Sequence, residues 1–286
     1  LMVVTSAASF GFLPIFARFA YADGVDSTSL LFLRFTIASL VMLGVMRRFS
    51  LRFPRGRTLA ALVAMGGLGY VGQSFCYFSA LHYASAGLVA LLLYVYPALV
   101  AALSAAFFGE RMTKRKTAAL LLASAGTAMI IGLNVSGSPP GIALGLGAAA
   151  IYSLYILAGS RIIPEGGEIA ASTVIMMSAA AVYGGIAAAA GLRLPETAEG
   201  ALSVLGLALV STVIAILTFF LGLRRIGATY ASMISTFEPV VTVALAGLLL
   251  GETISPLAAA GGAMVLAAVF LLSAPEKHGL PSSGRA

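Results

Sequence analysis

Ten apolar runs of transmembrane length, separated by short polar turns, restrict this chain more than any other feature of its sequence. They lie at 2–20, 28–46, 59–80, 83–107, 117–133, 141–162, 170–191, 201–222, 228–250 and 254–273. About 20 apolar residues in a helix match the hydrocarbon core of a bilayer. Lipid offers no hydrogen-bond partner, so such a segment must satisfy its backbone internally, as a helix does. Membrane-spanning strands would alternate over about ten residues, and these runs do not. Composition agrees, with 60% hydrophobic and 9% charged residues among 286 and a mean hydropathy of +1.04. A soluble domain of this size could not cover that much apolar surface. Ten spans use about 200 positions, which leaves room for short loops and a tail but for no sizeable soluble domain. No separate cleavable signal segment is visible, because the first run continues into the repeat described below.

The net charge of +7 does not indicate a nucleic-acid partner, because the cations are confined to turns. With the N-terminus placed in the cytoplasm, fourteen of the seventeen Lys and Arg fall in inside loops and the tail. They cluster at Arg47–Arg57, Arg111–Lys116, Arg161, Arg224–Arg225 and in the tail. Arg193 alone lies in an outside loop, while Arg18 and Arg34 fall within runs. Positive charge on one side sets the orientation, with both termini cytoplasmic. The single cysteine, Cys76, forms no internal disulfide and carries no compartment signal.

Shifting the sequence by 142 residues superposes Pro97 on Pro239, Gly109-Glu110 on Gly251-Glu252, Phe78 on Phe220 and Asp23-Gly24 on Glu165-Gly166. The expected organisation is therefore a first five-helix repeat over 1–137, a second over 138–274, and a disordered cytoplasmic tail over 275–286. An odd number of spans per repeat forces the second to insert upside down. Inverted repeats recur in secondary transporters, where two similar halves exchanging shapes give alternating access. The fold class expected is all-α integral membrane, ten transmembrane helices as two inverted five-helix repeats around a central cavity.

The stretches Tyr96-Pro97 through Gly109-Glu110 and Phe237-Glu238-Pro239 through Gly251-Glu252 resemble the drug/metabolite transporter superfamily, and within it the EamA-type exporters. The chain is further similar to the aromatic amino-acid exporters of the YddG type. This resemblance implies a multi-pass protein of the bacterial inner membrane. It also implies a central cavity lined mainly by spans three, four, eight and nine, with contributions from one and six. The function expected is export of small organic solutes, most of all aromatic amino acids and related metabolites. The alternatives are a broad-specificity exporter of cationic drugs or metabolites and, remotely, an intramembrane enzyme.

Tyr70, Gln73, Ser74 and Tyr77 fall at i, i+3, i+4 and i+7 of span three, which puts them on one helix face. Such a face suits a cavity, where rings stack on a solute and polar tips orient it. Interhelical hydrogen bonding is the plainer reading. Tyr94 and Tyr96 precede Pro97, and Ser235, Thr236 and Glu238 precede Pro239. A proline inside a helix removes a donor and clashes one turn back, so Pro97 and Pro239 are candidate hinges. Tyr152 and Tyr155 extend the lining or pack against it. The substrate-binding set is thus Tyr70, Gln73, Ser74, Tyr77, Tyr94, Tyr96, Tyr152, Tyr155, Ser235, Thr236 and Glu238.

Glu238 lies near the middle of span nine, where an ionised group costs about 2.5–3.5 kcal/mol. It contacts a substrate amine, carries a coupling proton, or pairs with Arg34 and holds helices together. Glu110 and Glu252 end their spans at the water boundary, where they cap a helix or close a gate. Arg18 snorkels, and His82 and His278 are solvated surface residues. No H-E-x-x-H, G-x-S-x-G or G-x-x-x-x-G-K-[ST] motif is present, so no metal, cofactor or catalytic residue is expected. The partners expected are a small-molecule substrate and the lipid bilayer, with proton coupling possible.

Overall fold

The computed structural model describes residues 1–132 and 135–273; the expected tail over 275–286, with His278, lies outside the described residues. Among those residues the chain is helical, with no strand and one isolated bridge between Ala84 and Gly137. In order the helices are α1 (Met2–Gly11), α2 (Leu13–Ala22), α3 (Ser27–Arg48), α4 (Gly56–Ala64), α5 (Val71–Ala80), α6 (Ala86–Leu93) and α7 (Tyr96–Phe108). There follow α8 (Lys114–Ile131), α9 (Pro139–Ile162), α10 (Glu168–Ala190), α11 (Ala198–Ala208), α12 (Ala215–Ser235), α13 (Glu238–Leu250) and α14 (Pro256–Ser273). Single π-helical turns, Met65–Tyr70 and Leu209–Ile214, join α4 to α5 and α11 to α12.

Eight helical runs among the described residues are long and apolar enough to cross a bilayer. Two expected runs fall outside that set, each for a local reason. The run at 117–133 becomes α8, whose first turn carries Lys114, Arg115 and Lys116. The run at 228–250 is divided. Its first part extends α12 beyond Gly227, whose φ of 80° and ψ of 168° break helical geometry, and the remainder is the 13-residue α13.

Side chains set most of the boundaries. Asp26, Ser85, Thr113 and Thr197 accept hydrogen bonds from the first-turn amides of α3, α6, α8 and α11, satisfying donors that the helix leaves free. Gly109 (φ 65°) and Gly251 (φ 67°) end α7 and α13 in the left-handed conformation, which glycine adopts without steric cost. Backbone features recur at the spacing of 142: α7 and α13 have coincident bounds, and so do α8 and α14.

Prolines 97 and 239 do not kink continuous helices. The chain instead leaves the helix for two residues, Tyr94-Val95 and Thr236-Phe237, and both prolines sit in the first turn of the next helix. There the missing N–H has no intrahelical role.

Small residues bring helices into backbone contact. A Cβ on Gly126 of α8 would lie 2.6 Å from the carbonyl oxygen of Gly261 of α14, and one on Gly261 2.8 Å from Met129 Cβ. Helices in lipid associate through such close van der Waals packing rather than through a hydrophobic drive. The main core joins Phe35, Met42, Leu62, Ile156, Ile175, Phe220 and Met233, all fully buried.

Candidate functional site

A cavity of about 420 Å³ runs between α1–α3, α5, α6, α8, α9, α11 and α13. It reaches Tyr21, Leu30 and Ile131 toward one end of the molecule. At that end Arg18 pairs with Glu252 at 2.5 Å, and Asp23 Oδ2 accepts the backbone N–H of Glu196 (2.8 Å) and Thr197 (3.1 Å). Those bonds, the Thr197 amide foremost, hold the Asp23 carboxyl below its ordinary range. Arg18 therefore makes an ion pair rather than simply snorkelling, although both side chains are more than half exposed and the pair contributes little.

The other end carries the cations, and none of its basic loops lines this cavity. Glu110 accepts from Lys116 Nζ at 2.7 Å with one oxygen and from Thr229 Oγ1 at 2.7 Å with the other. The Arg161 guanidinium lies 3.8 Å from the Phe108 ring centroid. Arg115 Nε donates to the Leu271 carbonyl at 2.6 Å. A second concavity of about 570 Å³ lies near this end between Met2–Val4, Gly222, Tyr230 and Leu272. Arg115 and Arg225 of the basic loops line it, but none of the substrate-binding candidates does.

Seven of the eleven substrate-binding candidates line the first cavity: Tyr70, Gln73, Ser74, Tyr77, Tyr94, Tyr152 and Glu238. The four-residue face of span three is presented together, although Tyr70 closes a π-helical turn. The other four stand behind the wall. Tyr96 is buried and donates to the Ser232 carbonyl at 3.2 Å. Tyr155 is buried between Tyr70, Tyr152 and Phe220. The hydroxyls of Ser235 and Thr236 donate to Ala231 O at 2.9 Å and Met233 O at 2.6 Å on their own helix. Of the two candidate hinges, Pro239 lines the cavity and Pro97 is buried.

The first span contributes as expected, through Phe10, Leu13, Pro14, Ala17 and the adjoining Tyr21. Beyond the expected set, Leu30, Leu31 and Arg34 of the second span and Ile130 and Ile131 of the fifth line the cavity, while from the eighth only Leu207 does. Arg34 is the functional candidate that sequence reasoning passes over. Its signal is present, since a lone charge within an apolar run serves a solute pathway by default. The sequence reading casts it instead as a partner for Glu238. Among the described residues no ion pair within 4.0 Å joins the two. Arg34 Nε donates to Thr212 Oγ1 at 2.6 Å and Nη2 to Ser211 O at 3.0 Å, both in the second π turn. Its guanidinium also lies 5.0 Å from the Phe35 ring centroid and 5.8 Å from that of Tyr70.

Comparison with known proteins bears on what this geometry serves. The EamA-like transporter family matches residues 1–132 and 139–274. The aromatic amino acid exporter YddG of Ancylobacter novellus is 28% identical over 282 residues, covering 94% of this chain and 95% of that protein. A probable terminal-alkyne amino-acid exporter of Streptantibioticus cattleyicolor is 28% identical over 286 residues, covering 96% and 91%. The uncharacterized transporter YcbK of Bacillus subtilis is 35% identical over 112 residues, which span 37% of this chain and 36% of that protein. A solved crystal structure superposes with a TM-score of 0.82 at 23% identity, covering 96% of both chains, and so shares the fold.

Proposed function

Since this chain belongs to the EamA-like transporter family, we propose that it is a secondary transporter exporting aromatic amino acids and related metabolites by alternating access. The observation that carries the reading is a cavity walled by Tyr70, Tyr77, Tyr94 and Tyr152, with no residue of the basic loops in its lining. Tyrosine rings offer stacking area for an aromatic solute, and their hydroxyls with Gln73 and Ser74 offer orienting hydrogen bonds. The names of the two relatives that align along most of the chain share the amino-acid class.

In this proposal ten spans form two inverted five-helix halves, 1–137 and 138–274. The coincident bounds of α7 with α13 and of α8 with α14 support that symmetry, as does the family match in two segments. Both termini face the cytoplasm of a bacterial inner membrane, in accord with the clustering of cations at one end. The structure then represents the outward-open state. The breaks at Tyr94-Val95 and Thr236-Phe237 serve as hinges, and Glu238 is placed to carry a proton between states. A purely cationic cargo fits less well, because Arg34 shares the cavity with Glu238.

Proteoliposomes loaded with labelled phenylalanine, tyrosine or tryptophan test the proposal. Protein-dependent efflux is expected, slowed when Tyr77 or Tyr152 is replaced by Ala. No efflux of any amino acid would remove the assignment. Efflux that ignores collapse of the proton gradient would leave transport standing as facilitated diffusion.

A further inference from the structure

Arg34 and Glu238 are opposite charges on one cavity, near enough to interact electrostatically, yet among the described residues no ion pair within 4.0 Å joins them. The Arg34 residue is 3% exposed. Two of its three nitrogens are committed to Thr212 and Ser211, while Nη1 has no hydrogen-bond partner among the described residues. Both Arg34 and Glu238 are part of the cavity lining. The Glu238 carboxylate likewise accepts no hydrogen bond among the described residues. Arg34 lies beside Phe35 and Tyr70 in a series of neighbouring rings, of which Tyr70, Tyr152 and Tyr94 line the cavity and Phe35, Tyr155 and Tyr96 pack behind them. Centroids are separated by 5.0 Å for Phe35–Tyr70, 6.1 Å for Tyr70–Tyr155, 6.2 Å for Tyr155–Tyr152, 4.7 Å for Tyr152–Tyr96 and 6.3 Å for Tyr96–Tyr94. Glu238 interacts electrostatically with Tyr94 and Tyr152 at the far part of that series.

From this arrangement, and resting on the transport reading above, we infer that Arg34 and Glu238 together select a zwitterion: the guanidinium takes the solute carboxylate and Glu238 its ammonium, while the ring lies along the tyrosines. The bonds from Arg34 to Thr212 and Ser211 hold the guanidinium in place, and its remaining nitrogen is the donor left for a carboxylate. A solute carrying only one charge leaves the opposite cavity group without a partner on the solute. That discrimination exceeds what apolar contact with a side chain supplies.

The protein contains no tryptophan, so indole fluorescence reports ligand alone. L-tryptophan, tryptamine and indole-3-propionate share one ring and differ only in charge. Binding of each to the purified, detergent-solubilised protein is followed by fluorescence anisotropy, and efflux of labelled tryptophan is followed in proteoliposomes. Tryptophan is expected to bind at least about tenfold more tightly than either analogue. Arg34→Gln should erase the preference over tryptamine and keep that over indole-3-propionate. Glu238→Gln should do the reverse, and Arg34→Lys should retain part of the preference over tryptamine. The comparison on the parent protein requires no variant, and thermal unfolding checks that each variant is folded. Tryptophan binding and efflux with no preference over the analogues would overturn the inference and leave transport intact. So would a preference over tryptamine that survives Arg34→Gln. Absence of binding and efflux for tryptophan, tyrosine and phenylalanine alike would overturn both.

Discussion

Asp26 shows how much a single side chain ties together at the open end. Its Oδ1 accepts the amides of Thr28 (2.9 Å) and Ser29 (3.0 Å), and its Oδ2 the Ser29 hydroxyl (2.9 Å). Ser29 Oγ in turn accepts the Arg193 amide at 2.9 Å, which fastens the loop after α10 to the start of α3. Burial alone pushes the Asp26 carboxyl up, but the bonds from Ser29 and Thr28, helped by the Arg193 charge, outweigh it and hold the group below its ordinary value of 3.8. A depressed carboxylate stabilises the fold above its unfolded-state value, and that contribution disappears as pH falls through the lower folded-state value. Asp26→Ala should therefore cost about 1 kcal/mol near neutrality. The gap from the parent should close at pH values below 3.8. Thermal unfolding in detergent across a pH series measures both effects. A gap that persists in acid would mean that the side chain acts by packing alone.

At the scale of elements, periodicity made the helices legible, and the spacing of 142 placed Pro97 and Gly109-Glu110 in positions equivalent to Pro239 and Gly251-Glu252, as the bounds of α7 and α13 repeat. The face Tyr70, Gln73, Ser74 and Tyr77 was legible too, because 3.6-residue spacing survives one π turn at its edge. Leu30 and Leu31 as cavity wall were not, because among apolar residues nothing marks which side meets water and which meets protein, whereas Arg34 was marked by its charge but read as a partner for Glu238. The prolines read as kinks because sequence shows the missing donor but not where the preceding helix has already ended. Two tests belong here. Gly261→Leu in α14 should overpack the seam with α8, where Gly126 O and Met129 leave no room for even a Cβ, and cost about 1–3 kcal/mol. Unchanged unfolding would show that α8 and α14 can separate freely. Pro97→Ala restores an N–H one turn beyond Leu93, so it should favour fusion of α6 and α7 into one rod. Efflux is expected to fall several-fold while thermal stability holds, and an unchanged rate would discount that break as a hinge.

Across the whole molecule, the cationic end depends on few polar contacts. Glu110 joins Lys116 at the start of α8 to Thr229 in the part of α12 beyond Gly227. Ser153 is fully buried, donates to the Ala149 carbonyl at 2.7 Å and lies 3.3 Å from that of Tyr96. Glu110→Ala should remove about 1 kcal/mol of closure, since the carboxylate is partly exposed. That shifts the two-state balance several-fold toward opening at the cationic end. A cysteine at position 153, with Cys76 replaced by Ser, should then react faster with a maleimide applied from that side. Equal rates would show that the closure rests on Phe108, Arg161 and the apolar contacts instead. Meanwhile the tyrosine-lined chamber is approached from the end remote from the cationic loops. In the orientation proposed here that approach is extracellular. A compound shaped to it would reach its target from outside the inner membrane, without having to cross that bilayer.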